Sequence, residues 1–509
     1  MKKIYKFVYY RIALAIFAVI VQIALFVVVL TKFNVYQDYF YVAFGILSFL
    51  IVLFIVNKNM NPEYKIAWII PILLVPVFGW LFYLMLGGNR LSNRLKKNMK
   101  YVKEKYCDAI SSNSVILNEI HNQCISSQAY YIQKYAHCPL YKNYYADYFP
   151  NGESLYASLL EELKKAEKFI FIEFFIIEEG VMWNSILNIL KQKAQRGVDV
   201  RVIYDYMGCI MTLPYKYDKI LESYDIKCSA FNPFKLTISS RLNNRDHQKI
   251  IVIDGKSAYT GGFNLADEYI NVHEKYGYWK DSGILVKGES VHSFTVMFLA
   301  MWDYIRNIDE NFDLFKVKNF ENNEENYDGY IQPYNDNPVN DESVGENVYL
   351  NIINKAQNYV YIATPYLIID YKMQSALCLA AKQGLDIRII TPYIPDKKHV
   401  NILTKANYKE LIKSGVKIYE FLPGFIHSKL FLCDDCCGTV GTINLDYRSL
   451  YLHFECGVWM YDTNAVMQIK QDFKSTFDQC KAVSLEECND TNLITKIICI
   501  FLRMFAFLM

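Results

Sequence analysis

Three long apolar runs open the chain, at residues 12–30, 39–56 and 66–86. The first is interrupted only by Gln22, and the third carries no charge. Each approaches the about 20 residues that a helix needs to cross a bilayer, so the pattern predicts a transmembrane helical region over residues 1–100. Pro71, Pro76 and Gly79 in the third run predict a kink or a re-entrant segment there. From 101 to 149 the chain is polar, tyrosine-rich and weakly periodic, and predicts no clear element.

Beyond that point the periods become readable. Residues 152–166 read as a helix and 168–177 (KFIFIEFFII) as a buried strand. Residues 183–196 form an amphipathic helix stopped by Gly197, and 198–205 (VDVRVIYD) a second strand. The same order returns as a strand at 358–369, a helix at 371–383 ended by Gly384, and a strand at 385–391. AQRGVDVRVIYD and AKQGLDIRIITP are one helix stop and strand written twice. Strands alternating with helices predict an α/β class with mixed sheets flanked by helices. The repeat predicts two similar domains, at 101–308 and 347–490. Between them, 309–346 holds eleven acidic residues against Lys316 and Lys318 and reads as an acidic linker. The tail, 491–509, is apolar, with Lys496 and Arg503 on one helical face, and reads either as a helix lying at a membrane interface or as an ordinary docking helix.

Composition narrows the class. A chain of 509 residues exceeds one ordinary core. Its net charge of +2 opposes a nucleic-acid partner held by a broad basic surface. Thirteen cysteines without a secreted spacing read as reduced thiols facing the cytosol. Cys433, Cys436 and Cys437 interleave with Asp434 without a second cysteine pair, so no zinc set is expected. Basic residues at both ends of the apolar region (Lys2, Lys3, Lys6 and Arg11; Arg90, Arg94, Lys96, Lys97 and Lys100) favour the cytoplasm. Three full crossings would separate these ends, so either one run does not span or the weaker basic end is overruled; the catalytic part is expected on the cytoplasmic side.

The chemistry lies in a second repeat. Residues 247–264 read HQKIIVIDGKSAYTGGFN and residues 427–444 read HSKLFLCDDCCGTVGTIN. They align without a gap at His247/His427, Lys249/Lys429, Asp254/Asp434, Gly261/Gly441 and Asn264/Asn444. In a strand, i and i+2 share a face, so each histidine emerges with its lysine. An imidazole beside a fixed cation suits an anionic phosphate and opposes a bound metal. Asn264 and Asn444 are placed to donate to phosphoryl oxygens, with Gly261, Gly262 and Gly441 allowing close backbone approach. Arg241, Asn243 and Arg245 continue the parity of His247, either for a second phosphate or as a solvated loop. Two half-sites on similar domains predict a pseudo-twofold site in which one imidazole attacks phosphorus and the other protonates the departing oxygen. The residues alone leave open which is which.

The motif HxK(x)4D(x)6G(G/T)xN, present twice, resembles the HKD signature of the phospholipase D superfamily. NPEYKIAW (61–68), IEFFI, RxNxRxHxK, TGGFN, GYWKD (277–281), ATPYLIID and GTINLDYRS…FE resemble bacterial cardiolipin synthases over essentially the whole chain. The resemblance implies two phospholipase D-like domains in pseudo-twofold arrangement behind a membrane-embedded amino terminus in the cell membrane. It implies transfer of a phosphatidyl group between two phosphatidylglycerol molecules, giving cardiolipin and glycerol, without metal or cofactor. His247 would be the nucleophile and His427 the acid and then base, with Lys249, Lys429, Asp254 and Asp434 completing the signature. Asp254 and Asp434 are expected to be structural or orienting rather than proton-transfer groups. Glu455 and Asp281 would orient the histidines, while Glu173 and Tyr366 match strand positions of the family's site. Gln248 and Ser428 fill variable places, and His453 stands where related sequences often have Asn. A hydrolytic phospholipase D or another phosphodiesterase would use the same two motifs, with water as acceptor. A catalytically dead scaffold would be expected to have lost a motif His or Lys, and all four are present.

Overall fold

The computed structural model describes residues 37–58, 61–74, 79, 83, 104–233 (without 108, 111–113 and 143), 244–317, 328–338, 342–503 (without 491) and 506. Residues 1–88 and 89–509 form separate compact units.

In the first unit a 21-residue helix, Gln37–Asn57, covers the second apolar run. The helix Pro62–Leu74 carries Pro71 within it and opens the third run. Trp68 packs edge-on against Tyr64 and Tyr83, with centroids 6.3 and 5.5 Å away. Among the described residues no helix is long and apolar enough to cross a membrane. The expected span at 12–30 lies outside the described residues.

The second unit holds two sheets. The first uses β1 (Tyr144–Phe149), β2 (Phe169–Phe174), β3 (Asp199–Asp205), β4 (Lys227–Phe231), β5 (Lys249–Ile253), β6 (Ser257–Gly261) and, after a short β7 (Tyr278–Lys280), β8 (Gly283–Gly288). The second uses β9 (Tyr330–Asp336), β10 (Tyr359–Ala363), β11 (Asp386–Pro392), β12 (Lys417–Phe421), β14 (Leu430–Cys433), β15 (Cys437–Gly441), β16 (Glu455–Tyr461) and β17 (Cys480–Ala482), with β13 (Gly424–Ile426) set apart. The orders are β1-β8-β6-β5-β2-β3-β4 and β9-β16-β15-β14-β10-β11-β12-β17, the same path twice with one added edge. In each, a parallel triplet (β2-β3-β4, β10-β11-β12) meets an antiparallel set, so both sheets are mixed.

Strand β2 shows why its run is apolar without alternation. Phe169 and Phe171 enter the hydrophobic cluster that both sheets share, while Ile170, Ile172 and Phe174 enter the cluster under the first domain's helices. Both faces are covered, so neither can be polar. The acidic stretch 309–346 is only partly a connector, because Tyr330–Asp336 forms edge strand β9, paired with β16 and, at Ile331 only, bridged to Tyr141. Pro333 is tolerated there because, among the described residues, the outer side of β9 carries no ladder bond beyond that bridge.

The halves also meet through strand pairing. β7 and β13 pair in parallel, with Lys280 opposite Ile426. The related contact on the other side is a single parallel bridge between Asp246 and Phe454. In both places the residue before a motif histidine faces the residue before an acidic side chain.

Candidate active site

That pairing delivers each histidine to a carboxylate of the opposite half. The His247 backbone N–H donates to the Phe454 carbonyl (2.9 Å), and Phe454 N–H returns to the Arg245 carbonyl (2.9 Å). The next residue, Glu455, then meets His247 Nδ1 at 2.9 and 3.0 Å. On the other side the His427 N–H donates to the Lys280 carbonyl (2.7 Å), and Asp281 Oδ2 lies 2.6 Å from His427 Nδ1. With both Nδ1 atoms engaged, each ring has Nε2 left for a substrate. Gly261 and Gly441 make this possible: a Cβ on either would lie 2.4 Å from the Ser282 carbonyl or 2.6 Å from the Cys456 carbonyl. The backbone whose close approach these two glycines allow is that of the chain carrying the carboxylate. Gly262 serves the site directly, since a side chain there would collide with Asp281 Oδ1.

Both lysines are buried, and each ammonium donates to the carbonyl of its own histidine, Lys249 to His247 at 2.8 Å and Lys429 to His427. Burial pushes Lys249 down to about 8 and Lys429 down to about 7. Burial, reinforced by Lys429, lowers His427 to about 4, and burial with Lys249 and His453 holds His247 well below its usual value. Burial works against ionisation of Asp281, but His427 and Lys429 outweigh it and keep that carboxyl below its ordinary range. Glu455 is raised well above the usual range by burial. Two neutral imidazoles beside two lysines make a site suited to a phosphodiester: one base to attack, one group to return a proton, and cations for the oxygens.

The remaining expected residues are placed more variously. Asp254 and Asp434 follow the motif strands at their far ends, about 20 Å from the histidines at 3.3 Å per residue. Asp254 accepts the backbone N–H groups of Glu167, Lys168 and Phe169, and Asp434 those of Gln357, Asn358 and Tyr359. Through these bonds the two aspartates tie the motif turns to the entry of β2 and β10. Asn264 is engaged by the protein, accepting from Ile176 N–H (3.1 Å) and donating to Tyr269 OH (2.7 Å). Asn444 is buried, and its Oδ1 has no hydrogen-bond partner among the described residues. Glu173 accepts from Gln248 Nε2 at 2.9 Å rather than touching a histidine, which gives the variable Gln248 a partner. Tyr366 OH donates to Asp396 at 2.6 Å. Arg245 is buried beside Asp205, Nη1 to Oδ1 3.5 Å, so it is not a solvated loop residue. Arg241 and Asn243 lie outside the described residues.

One site residue was passed over as a mere departure. The ring of His453 lies 5.6 Å from that of His247, and its Nδ1 is 3.7 Å from Glu455 Oε1. Its counterpart in the other half is Trp279, 5.3 Å from His427. The signal was available: HFE (453–455) sits against its histidine as WKD (279–281) does, two residues before the carboxylate in each case. Among the described residues, His247, His453 and Glu455 are the one group with donors placed for a metal.

Comparisons with known proteins bear on this arrangement. The family described as "Cardiolipin synthase, PLD-like domain" matches residues 159–302 and 349–477, and "Phospholipase_D-nuclease N-terminal" matches residues 46–88. An uncharacterized protein of Streptococcus mutans is 46% identical over 89% of this chain and 98% of its own length. A cardiolipin synthase of Geobacillus kaustophilus is 31% identical, covering 86% of this chain and 87% of its own. One of Alkalihalophilus pseudofirmus is 32% identical, covering 82% and 83%. The crystal structure of phosphatidylserine synthase from Haemophilus influenzae aligns with a TM-score of 0.56 at 16% identity, over 74% of this chain and 96% of that one, a likeness of fold.

Proposed function

The chain belongs to the phospholipase D-like cardiolipin synthase family of phosphatidyltransferases, and from that premise we propose that it joins two phosphatidylglycerol molecules into cardiolipin and glycerol. In the first step Nε2 of one motif histidine attacks the phosphorus of one lipid. The bond to the glycerol headgroup breaks, and the other imidazole, neutral in the free enzyme and protonated once the phosphodiester anion lies beside it, gives its proton to the departing oxygen. A phosphatidyl–histidine remains. In the second step that other imidazole takes the proton from a headgroup hydroxyl of the second lipid, whose oxygen attacks phosphorus and expels the histidine. Protons and bonds balance over the cycle, and no further reagent is consumed.

The observation that carries this reading is the crossed pairing of His247 with Glu455 and His427 with Asp281, which orients two imidazoles from two halves at once. Lys249 and Lys429 supply positive charge for the phosphoryl oxygens. The apolar runs of residues 12–86 and the family match at 46–88 support anchorage in the cell membrane, with the two-sheet unit on the cytoplasmic side. Purified enzyme supplied with phosphatidylglycerol vesicles alone should release glycerol and form cardiolipin in equal amounts, read by mass spectrometry. Phosphatidic acid accumulating in place of cardiolipin would overturn the transferase reading in favour of a hydrolase.

A further inference from the structure

His453 takes no part in the reaction just described, and its position is costly. It is 8% exposed, and neither ring nitrogen has a hydrogen-bond partner among the described residues. Burying a polar group without a partner is destabilising. The pseudo-equivalent place in the other half is filled by Trp279, so packing beside a motif histidine does not require an imidazole.

What an imidazole offers there is a ligand. Nδ1 of His247 and Nδ1 of His453 face the two oxygens of one carboxylate, at 2.9 Å from Glu455 Oε2 and 3.7 Å from Oε1. The three donors lie within 4.8 Å of one another. A tetrahedral zinc ion with bonds of about 2.1 Å places its ligands roughly 3.4 Å apart, within the span of these separations. The donor set, two imidazoles and one carboxylate, is one that zinc and its first-row neighbours accept, with a position left open. We propose that His247, His453 and Glu455 form a binding site for a divalent transition metal, and that occupation of this site switches the enzyme off.

The charge of the motif lysine, which speaks against a metal from sequence alone, stays close: Lys249 Nζ donates to the His247 carbonyl and acts on His247, His453 and Glu455 alike. Arg245 and Arg448 are joined to this segment through backbone bonds, Phe454 N–H to the Arg245 carbonyl and His453 N–H to the Arg448 carbonyl. These cations weaken the site relative to a structural zinc centre, which suits reversible binding. Inhibition follows from tautomerism. A metal on Nδ1 of His247 leaves the ring's single proton on Nε2, the nitrogen that must attack phosphorus or accept a proton. It also draws Glu455 away from its orienting contact. This effect on turnover rests on the proposed role of His247; the binding of metal does not.

The test uses the full-length enzyme, zinc chloride as probe, and two variants, His453→Asn and His453→Phe, the second preserving a planar ring. Zinc titration without lipid should show one more equivalent bound by the wild type than by either variant. X-ray absorption should report nitrogen and oxygen donors for that equivalent. In the phosphatidylglycerol assay, half-inhibition should require at least tenfold more zinc in the variants, each compared with its own zinc-free rate. Identical stoichiometry and identical sensitivity in wild type and variants would overturn the site, since zinc held by the cysteines would then account for both. Because the titration needs no substrate, an enzyme that makes no cardiolipin would overturn the functional reading and leave the metal site still tested.

Discussion

Glu455 Oε2 lies 2.9 Å from Nδ1 of His247, across 208 residues of chain. Asp281 stands 2.6 Å from His427 across 146 residues in the opposite direction. Neither half of the molecule orients its own histidine. Glu455→Gln and Asp281→Asn keep the volume but disturb the tautomer, as an amide presents either a donor or an acceptor to Nδ1. Each should lower kcat by about a hundredfold or more, in the manner of a triad aspartate, with KM changed little. Steady-state kinetics in mixed micelles checks this. A loss confined to KM would assign the carboxylates to substrate binding.

Attack and proton return fall to different imidazoles, so His247→Ala and His427→Ala should each reduce turnover by at least about a thousandfold, and the double variant should cost little more than either alone. Glycerol release from phosphatidylglycerol vesicles measures this directly. A single variant at wild-type rate would sink the shared-site mechanism.

The motif histidines and lysines were legible because they recur at identical offsets in strands of otherwise different sequence. The buried strand at 168–177 was legible because both its faces meet apolar clusters. The crossed carboxylates were suggested only by resemblance, since contacts across 208 and 146 residues depend on how two sheets dock. Strand β9 was hidden by the acidic composition on either side of it.

Asp254 and Asp434 each gather three backbone N–H groups at the start of a central strand, from backbone angles φ of 55° and 49°. Asp254→Ala strands those donors and forces alanine into the left-handed region, so stability should fall by roughly 2–4 kcal/mol. Asn tolerates that conformation and retains one acceptor oxygen, so Asp254→Asn should recover part of the loss. Thermal unfolding gives the stability, and kcat per folded molecule should stay within a few-fold of wild type. A folded Asp254→Asn protein without turnover would return the residue to the chemistry.

Burial holds Lys249 near 8 and Lys429 near 7, against about 10.4 for a free lysine. An ammonium loses its charge as pH rises through its pKa, so the free enzyme should lose its grip on the phosphate on the alkaline side of neutrality. The profile of kcat/KM, which reports groups of the free enzyme, should therefore fall with a limb between about pH 7 and 8. Most of that fall should appear as a rising KM. Lys429→Met should lower kcat/KM at neutral pH and remove the earlier part of the limb, leaving the titration of Lys249. A wild-type profile flat to about pH 10, where an ordinary lysine begins to titrate, would show that the buried ammonium groups stay charged and that this account of the site's cations is wrong.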